Sequence, residues 1–192
     1  QGHSIEVPDG FLAMVAERHQ GDTKNDKSKV DLIEVNPTDL DFYKDMEQRS
    51  FSSEVVFSSK DKISLKNTLF YPEGGGQQCD KGVINWDGKQ SQVIDVQKVG
   101  DVVVHHLEGK TPPIGTIVSG IIDDNRRTGL SCHHTATHLV GAAARQILGS
   151  HVWQAGASKY VDRARLDITH HRRITRDVIK DLESAVNRMI IE

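Results

Sequence analysis

Cysteine is nearly missing from this sequence. Cys79 and Cys132 stand alone among 192 residues, and two thiols cannot make the disulfide framework of a small secreted domain. An export signal is missing too: the chain starts Gln1-Gly2-His3, which resembles what a cleaved expression tag leaves, and runs on through Ser4-Ile5-Glu6-Val7-Pro8. Both features point to a reducing, cytoplasmic setting. No apolar run approaches the roughly 18 residues that a membrane-spanning helix needs. Common catalytic signatures are absent as well. The triple glycine Gly74-Gly75-Gly76 is followed by no Lys-Ser/Thr pair, so it is not a Walker loop, and it does not match GxGxxG. The pair His134 and His138 lacks the glutamate of the zinc-protease motif HExxH, because Thr135 stands in its place.

What is present is enough for a folded core. A chain of 192 residues, 36% of them hydrophobic, has room for one domain or two small ones. Its net charge of −3 conceals an asymmetry: residues 125–192 carry 11 Lys+Arg against 6 Asp+Glu, a balance of +5, which leaves −8 (13 against 21) for residues 1–124. A positive excess suits a phosphate-bearing partner, and equally a solvated basic face.

Residues 131–149 are rich in Ala, Leu, Val and Ile and free of proline, which predicts a helix ended by a glycine cap at Gly149. On that helix His134 and His138 are four residues apart, so both imidazoles project from one flank at neighbouring turns. This is a metal-ligand spacing. Two histidines do not complete a zinc site, which takes three or four N, S or O donors at about 2.0 to 2.3 Å. The alternative is a polar helix face. Thr135 and Thr137 between the histidines, with the apolar stripe starting only at Leu139, favour a site over a helix built only to pack.

The rest of the chain supplies a frame. Residues 8–19 predict a short helix with Phe11, Leu12 and Val15 on one side, and residues 20–29 form a polar linker or loop. Pro37-Thr38-Asp39-Leu40 opens a turn or a short helix reaching about Arg49. From Phe51 the texture changes to short alternating runs, at 54–58, 63–70, 82–86, 92–99, 101–107 and 116–122. About six strands punctuated by Gly, Asn, Asp and Pro predict a small β-barrel, with a hairpin turn at Asp87-Gly88. Within it lies Phe70-Tyr71-Pro72-Glu73-Gly74-Gly75-Gly76-Gln77. Its glycines permit close backbone approach to a ligand or N–H groups aimed at an anion, and the alternative is a plain glycine-rich turn.

After the histidine helix, residues 151–158 read as a strand and turn, 165–171 as a strand, and 174–191 as a helix with Val178, Leu182, Ala185 and Met189 on one side and Thr175 as its cap. Adjacent residues on a strand point opposite ways, so at most one of His170 and His171 could serve a site. The fold class is therefore α+β: a small barrel followed by helix, strand, strand and helix. Two strands with two helices make a thin layer, and further strands are expected to follow.

Four signatures in order, Phe70-Tyr71-Pro72-Glu73-Gly74-Gly75-Gly76-Gln77, His134-Thr135-Ala136-Thr137-His138-Leu139, His151-Val152-Trp153-Gln154-Ala155-Gly156-Ala157-Ser158 and Ala164-Arg165-Leu166-Asp167-Ile168-Thr169-His170, resemble the editing region of alanyl-tRNA synthetases and their free-standing AlaX relatives. Residues 1–19 resemble the passage from the tRNA-binding helical domain of an archaeal-type synthetase into its editing part, which favours a piece of a full synthetase over an AlaX protein. The resemblance implies hydrolysis of serine or glycine wrongly esterified to the 3′ end of alanine tRNA. It also implies a zinc ion held by an HxxxH and a later CxxxH. His134 and His138 match the first pair; no CxxxH occurs in these 192 residues, so this stretch carries half a zinc site and is expected to be inactive alone. ATP and magnesium would belong only to a synthetase core outside it. By the same resemblance Thr137 and Gln154 are the catalytic positions lining the pocket, and Gly74, Gly75, Gly76 and Gln77 form the substrate loop at its mouth. Zinc would either activate water or hold the substrate's amino group, and the lack of a carboxylate base beside the histidines favours the second.

The implied domains are residues 1–30, a tag remnant with a helical appendage and linker; 31–124, the barrel; and 125–192, the first part of an α+β editing domain. A competing reading makes the chain a non-catalytic tRNA-binding module, with Arg163, Arg165, Arg172, Arg173 and Arg176 on phosphates.

Overall fold

The structure, a computed structural model, describes residues 35–191. The helix predicted at 8–19 and the linker after it lie outside the described residues.

Among the described residues ten strands and two long helices follow one another: β1 (Asp39–Leu40), β2 (Ser50–Ser58), β3 (Lys62–Leu65), β4 (Asn67–Thr68), β5 (Gly82–Trp86), β6 (Lys89–Val99), β7 (Val102–Glu108), β8 (Ile117–Ile122), α1 (Asp124–Leu148), β9 (Gln154–Lys159), β10 (Ala164–Ile168) and α2 (Arg176–Ile191). Six of the strands close into a barrel in the order β2-β3-β7-β6-β5-β8. Closure removes the unpaired edges that an open six-stranded sheet would expose. Period-two alternation fills its interior: Phe51, Val55, Ile63, Leu65, Ile84, Val93, Val96, Val118 and Ile122 are buried together with Phe70 and Leu107. The β5–β6 hairpin turns at Asp87 and Gly88, with φ of 45° and 71°, and Trp86 pairs with Lys89. Positive φ at both central residues is the type I′ geometry that Asp-Gly favours.

Of the turn or short helix expected from Pro37 to about Arg49, the turn is what forms, as a single 3-10 turn at Asp41–Tyr43, and Asp39–Leu40 before it is a strand, β1. Two expectations need correction. The run predicted as one strand at 63–70 breaks after Leu65: Lys66 N–H still donates to Glu54 O (2.9 Å) and Asn67 N–H to Ser53 Oγ (3.0 Å) on β2, but Asn67 and Thr68 then pair with Asp39 and Leu40 as β4 against β1. The histidine helix begins at Asp124 and not near Ser131. Its N-cap is Asp123, whose carboxylate accepts the Arg126 N–H at 3.1 Å. Thr135 and Thr137 therefore sit in mid-helix and not in a first turn. The other end is as read: Gly149, at φ 115°, gives its N–H to Arg145 O at 3.1 Å.

Beyond the barrel, β9 and β10 form an antiparallel pair with an irregularity between Asp167 and Ile168. Helix α1 packs against both strands and against α2. Thr175 caps α2, its Oγ1 accepting the Val178 N–H at 3.4 Å. The layer is as thin as expected: α2 has no buried residue, and Ile179 and Ile190 are more than half exposed.

Candidate functional site

The triple glycine and the histidine helix meet. Gly75 and Gly76, at φ 58° and 74°, turn the chain so tightly that Gly74 and Gln77 exchange backbone hydrogen bonds of 3.1 and 2.9 Å. The turned loop lies along β9: Lys159 N–H donates to Gly76 O (2.7 Å) and Gln78 N–H to Lys159 O (3.2 Å). A Cβ on Gly76 would stand 1.9 Å from Ala157 O, so only glycine permits this approach. The loop is thus a clamp between the barrel and the α+β layer as well as a turn.

That clamp places Gln77, which is buried, against α1. Its Oε1 accepts a hydrogen bond from His134 Nδ1 at 2.6 Å. With the proton fixed on Nδ1, the lone pair of Nε2 is free, which is how a second side chain orients a metal-ligating imidazole. His138 lies beside it, the two ring centroids 5.0 Å apart and the planes inclined by 32°. His134 is half-buried and His138 exposed, so the pair opens to solvent. Burial holds the His134 pKa below its ordinary value, and the positive charges of Lys159 and His138 act the same way. A neutral imidazole is the form that ligates a metal.

Lys159 escaped the sequence reading. Its side chain is buried at the end of β9, and its Nζ donates to Gly75 O at 2.8 Å, which ties the tip of the loop down. Desolvation lowers its pKa. A lysine ending a short strand gives no sign in sequence that it will point inward at a loop some 80 residues earlier.

Thr137 precedes His138 on α1 and is buried, with Oγ1 donating to His133 O at 2.7 Å. Its hydroxyl proton is therefore engaged, while its oxygen keeps acceptor capacity for a ligand. Gln154 opens β9 and is exposed, five residues before Lys159, with no hydrogen bond from its side chain to Gln77, His134 or His138. The structure thus joins Gln77 of the glycine loop to His134 and sets His138 beside that ring, while Thr137 bonds within its own helix and Gln154 lies exposed at the start of the neighbouring strand.

Neither cysteine joins the histidines. Cys79 is buried in the barrel, where Sγ donates to Asp95 Oδ1 at 3.3 Å and burial pushes its pKa up to about 11. Cys132 is exposed on α1. A zinc ion takes imidazole nitrogens, and His134 with its Gln77 partner fits that need. The pair supplies two donors of a set of three or four. Of the arginines named as phosphate ligands, Arg165 is paired with Asp167 (2.8 Å) and Arg163 with Asp162 (3.1 Å) while covering the Tyr160 ring. Arg172, Arg173 and Arg176 are exposed.

Comparison with known proteins decides the family. The sequence pattern described as tRNA synthetases class II (A) matches residues 1–126, well over half of the chain. The chain belongs to the class II (A) tRNA synthetases. This synthetase chain is 42% identical over 202 residues to the alanine–tRNA ligase of Methanopyrus kandleri, covering 100% of itself and 22% of that protein. It is 44% identical over 200 residues to the ligase of Metallosphaera sedula (99% and 22%) and 43% identical over 192 residues to that of Thermoplasma acidophilum (100% and 22%). It spans about a fifth of these relatives, and the match extends through the barrel, the histidine helix and β9 to α2. No helix among the described residues is long and apolar enough to cross a membrane.

Proposed function

We propose that this chain is the editing portion of an alanyl-tRNA synthetase, which hydrolyses the ester joining serine or glycine to the 3′ end of alanine tRNA. The observation that carries the reading is the 2.6 Å contact between Gln77 and His134, because it makes the glycine loop and the helix parts of one site. The similarity to three archaeal alanine–tRNA ligases supports the substrate class.

Selectivity explains why such a site is needed. A pocket shaped for alanine cannot exclude the smaller glycine by size, and a hydrophobic pocket rejects one added hydroxyl by only about 100-fold. A second, polar pocket built to bond serine leaves its own groups unpaired when alanine enters, and sites of that kind discriminate by about 10⁴ or more. Thr137 Oγ1, which already donates to His133 O, would accept from the serine hydroxyl. The loop at Gly74 to Gln77 would let the ribose end approach closely. Gln154 would reach in from the open end of β9.

The reaction adds water across the ester, releasing the free amino acid and returning a proton to the ribose oxygen. A zinc ion, when bound, would supply Lewis acidity or an anchor for the amino group. His134 and His138 would hold it with two further donors from the rest of the protein, and Gln77 fixes the direction of His134. With two donors only, these residues by themselves are expected to be inactive.

The test uses the full-length protein, serine-charged alanine tRNA and zinc analysis. The unsubstituted protein should deacylate the tRNA, and His134→Ala and His138→Ala should each lose zinc and reduce the rate by about 100-fold or more. Hydrolysis at the original rate in both variants would reject the metal-site assignment.

A further inference from the structure

A second group of imidazoles lies beyond the end of α1. His151 stands two residues after the Gly149 cap, and His170 and His171 follow β10 in a bend. Because that bend lies outside the strand, the two do not alternate from face to face. Both turn toward His151. The three ring centroids are 5.2 Å apart in every pairing. One ring nitrogen from each lies within 4.8 Å of the others.

We propose that His151, His170 and His171 form a binding site for a divalent transition cation of the zinc, nickel or cobalt class, separate from the His134 and His138 pair. Donors around a tetrahedral zinc at about 2.0 to 2.1 Å stand about 3.3 Å from one another. His151 Nε2 and His170 Nδ1 are already 3.0 Å apart. A shared proton would account for that pair but not for the third ring, which sits equally close to both. Three neutral imidazoles suit ions of this class, with water completing the coordination. At least partial exposure of all three leaves an entry path.

The supporting backbone is fixed. Thr169 Oγ1 donates to His151 O at 3.0 Å and accepts the Trp153 N–H at 2.9 Å, and Thr169 N–H donates to Trp153 O at 2.9 Å. This lashes the segment carrying His151 to the one carrying His170 and His171. His151 lies against Gly149, where a Cβ would come within 3.1 Å of Nδ1, so the Nε2 edge is the one that faces its partners.

Cobalt(II) titration followed by visible d–d absorption, with Zn²⁺ displacement by calorimetry, tests the site in the chain as it stands and in its His134→Ala/His138→Ala double variant. One ion per chain should bind in the double variant. His151→Ala, His170→Ala and His171→Ala should each weaken that binding at least tenfold, with the circular dichroism spectrum unchanged. His171→Ala replaces an exposed ring, so it carries the test if His151→Ala disturbs the fold. Failure of the double variant to bind Co²⁺ at millimolar concentration overturns the proposal, as does binding indifferent to His171→Ala.

Discussion

His105 is sealed in the barrel wall with no exposed surface, its Nε2 2.9 Å from Thr68 Oγ1 and its ring edge-on to Phe70. Thr68 Oγ1 also accepts the Phe70 N–H at 3.1 Å, which holds the hydroxyl in place beside the imidazole. Burial pushes the His105 pKa down from 6.5 to about 4, and the charge of His106 adds to the drop. Between those values the unfolded chain takes up a proton that the folded one refuses. The stability contributed by neutral His105 is thus complete above about pH 6.5 and lost as pH falls toward 4, on the order of 3 kcal/mol over that window. Denaturant melts at pH 7 and pH 5 should show about 2 kcal/mol of this loss, and His105→Gln, which cannot take up that proton, should lower stability at pH 7 but reduce the further loss on acidification. His134 is the residue that sequence located best, since a four-residue spacing on a helix dictates a shared flank. Its tie to Gln77, 57 residues away, was not legible, because only the folded chain sets that distance.

At the scale of elements, α1 is anchored to the barrel by charge. Arg127 is buried and grips Asp80 through Nε (3.1 and 3.0 Å) and its terminal nitrogen (2.5 Å), and also donates to Leu69 O at 2.6 Å. Asp80 Oδ2 accepts the Tyr71 N–H at 2.7 Å, so the pair fixes both ends of the glycine-rich segment to the first turns of α1. Arg126 adds a bond to Cys79 O at 2.8 Å. Removing one partner of a buried pair leaves the other charge without compensation, so Arg127→Ala is expected to cost about 3 to 5 kcal/mol in urea denaturation. Arg49→Ala, which breaks the more open contact with Asp124, should cost under about 1 kcal/mol. The strands were legible from alternation and turn residues, and so was the Asp87-Gly88 turn. The start of α1 was not, because the polar residues after Asp123 carry no apolar stripe, and only the folded chain shows the Arg126 N–H capped by the Asp123 carboxylate. His170 and His171 were misread for a related reason. Periodicity gave no sign that β10 would stop at Ile168 and let both rings swing to one side.

On the scale of the whole molecule, the barrel is complete and the α+β layer is spare. Fifteen buried residues form the barrel core, while α2 buries none of its residues and leaves Ile179 and Ile190 largely open. The chain spans about a fifth of the length of the relatives it matches. His134 and His138 lie side by side on α1, with Gln77 of the loop bonded to the first. In the full-length protein, the most direct measurement is the deacylation rate of serine-charged alanine tRNA against that of alanine-charged tRNA. Our account predicts that the serine ester is cleaved faster by about 100-fold or more. Equal rates, or no hydrolysis of either ester, would contradict it.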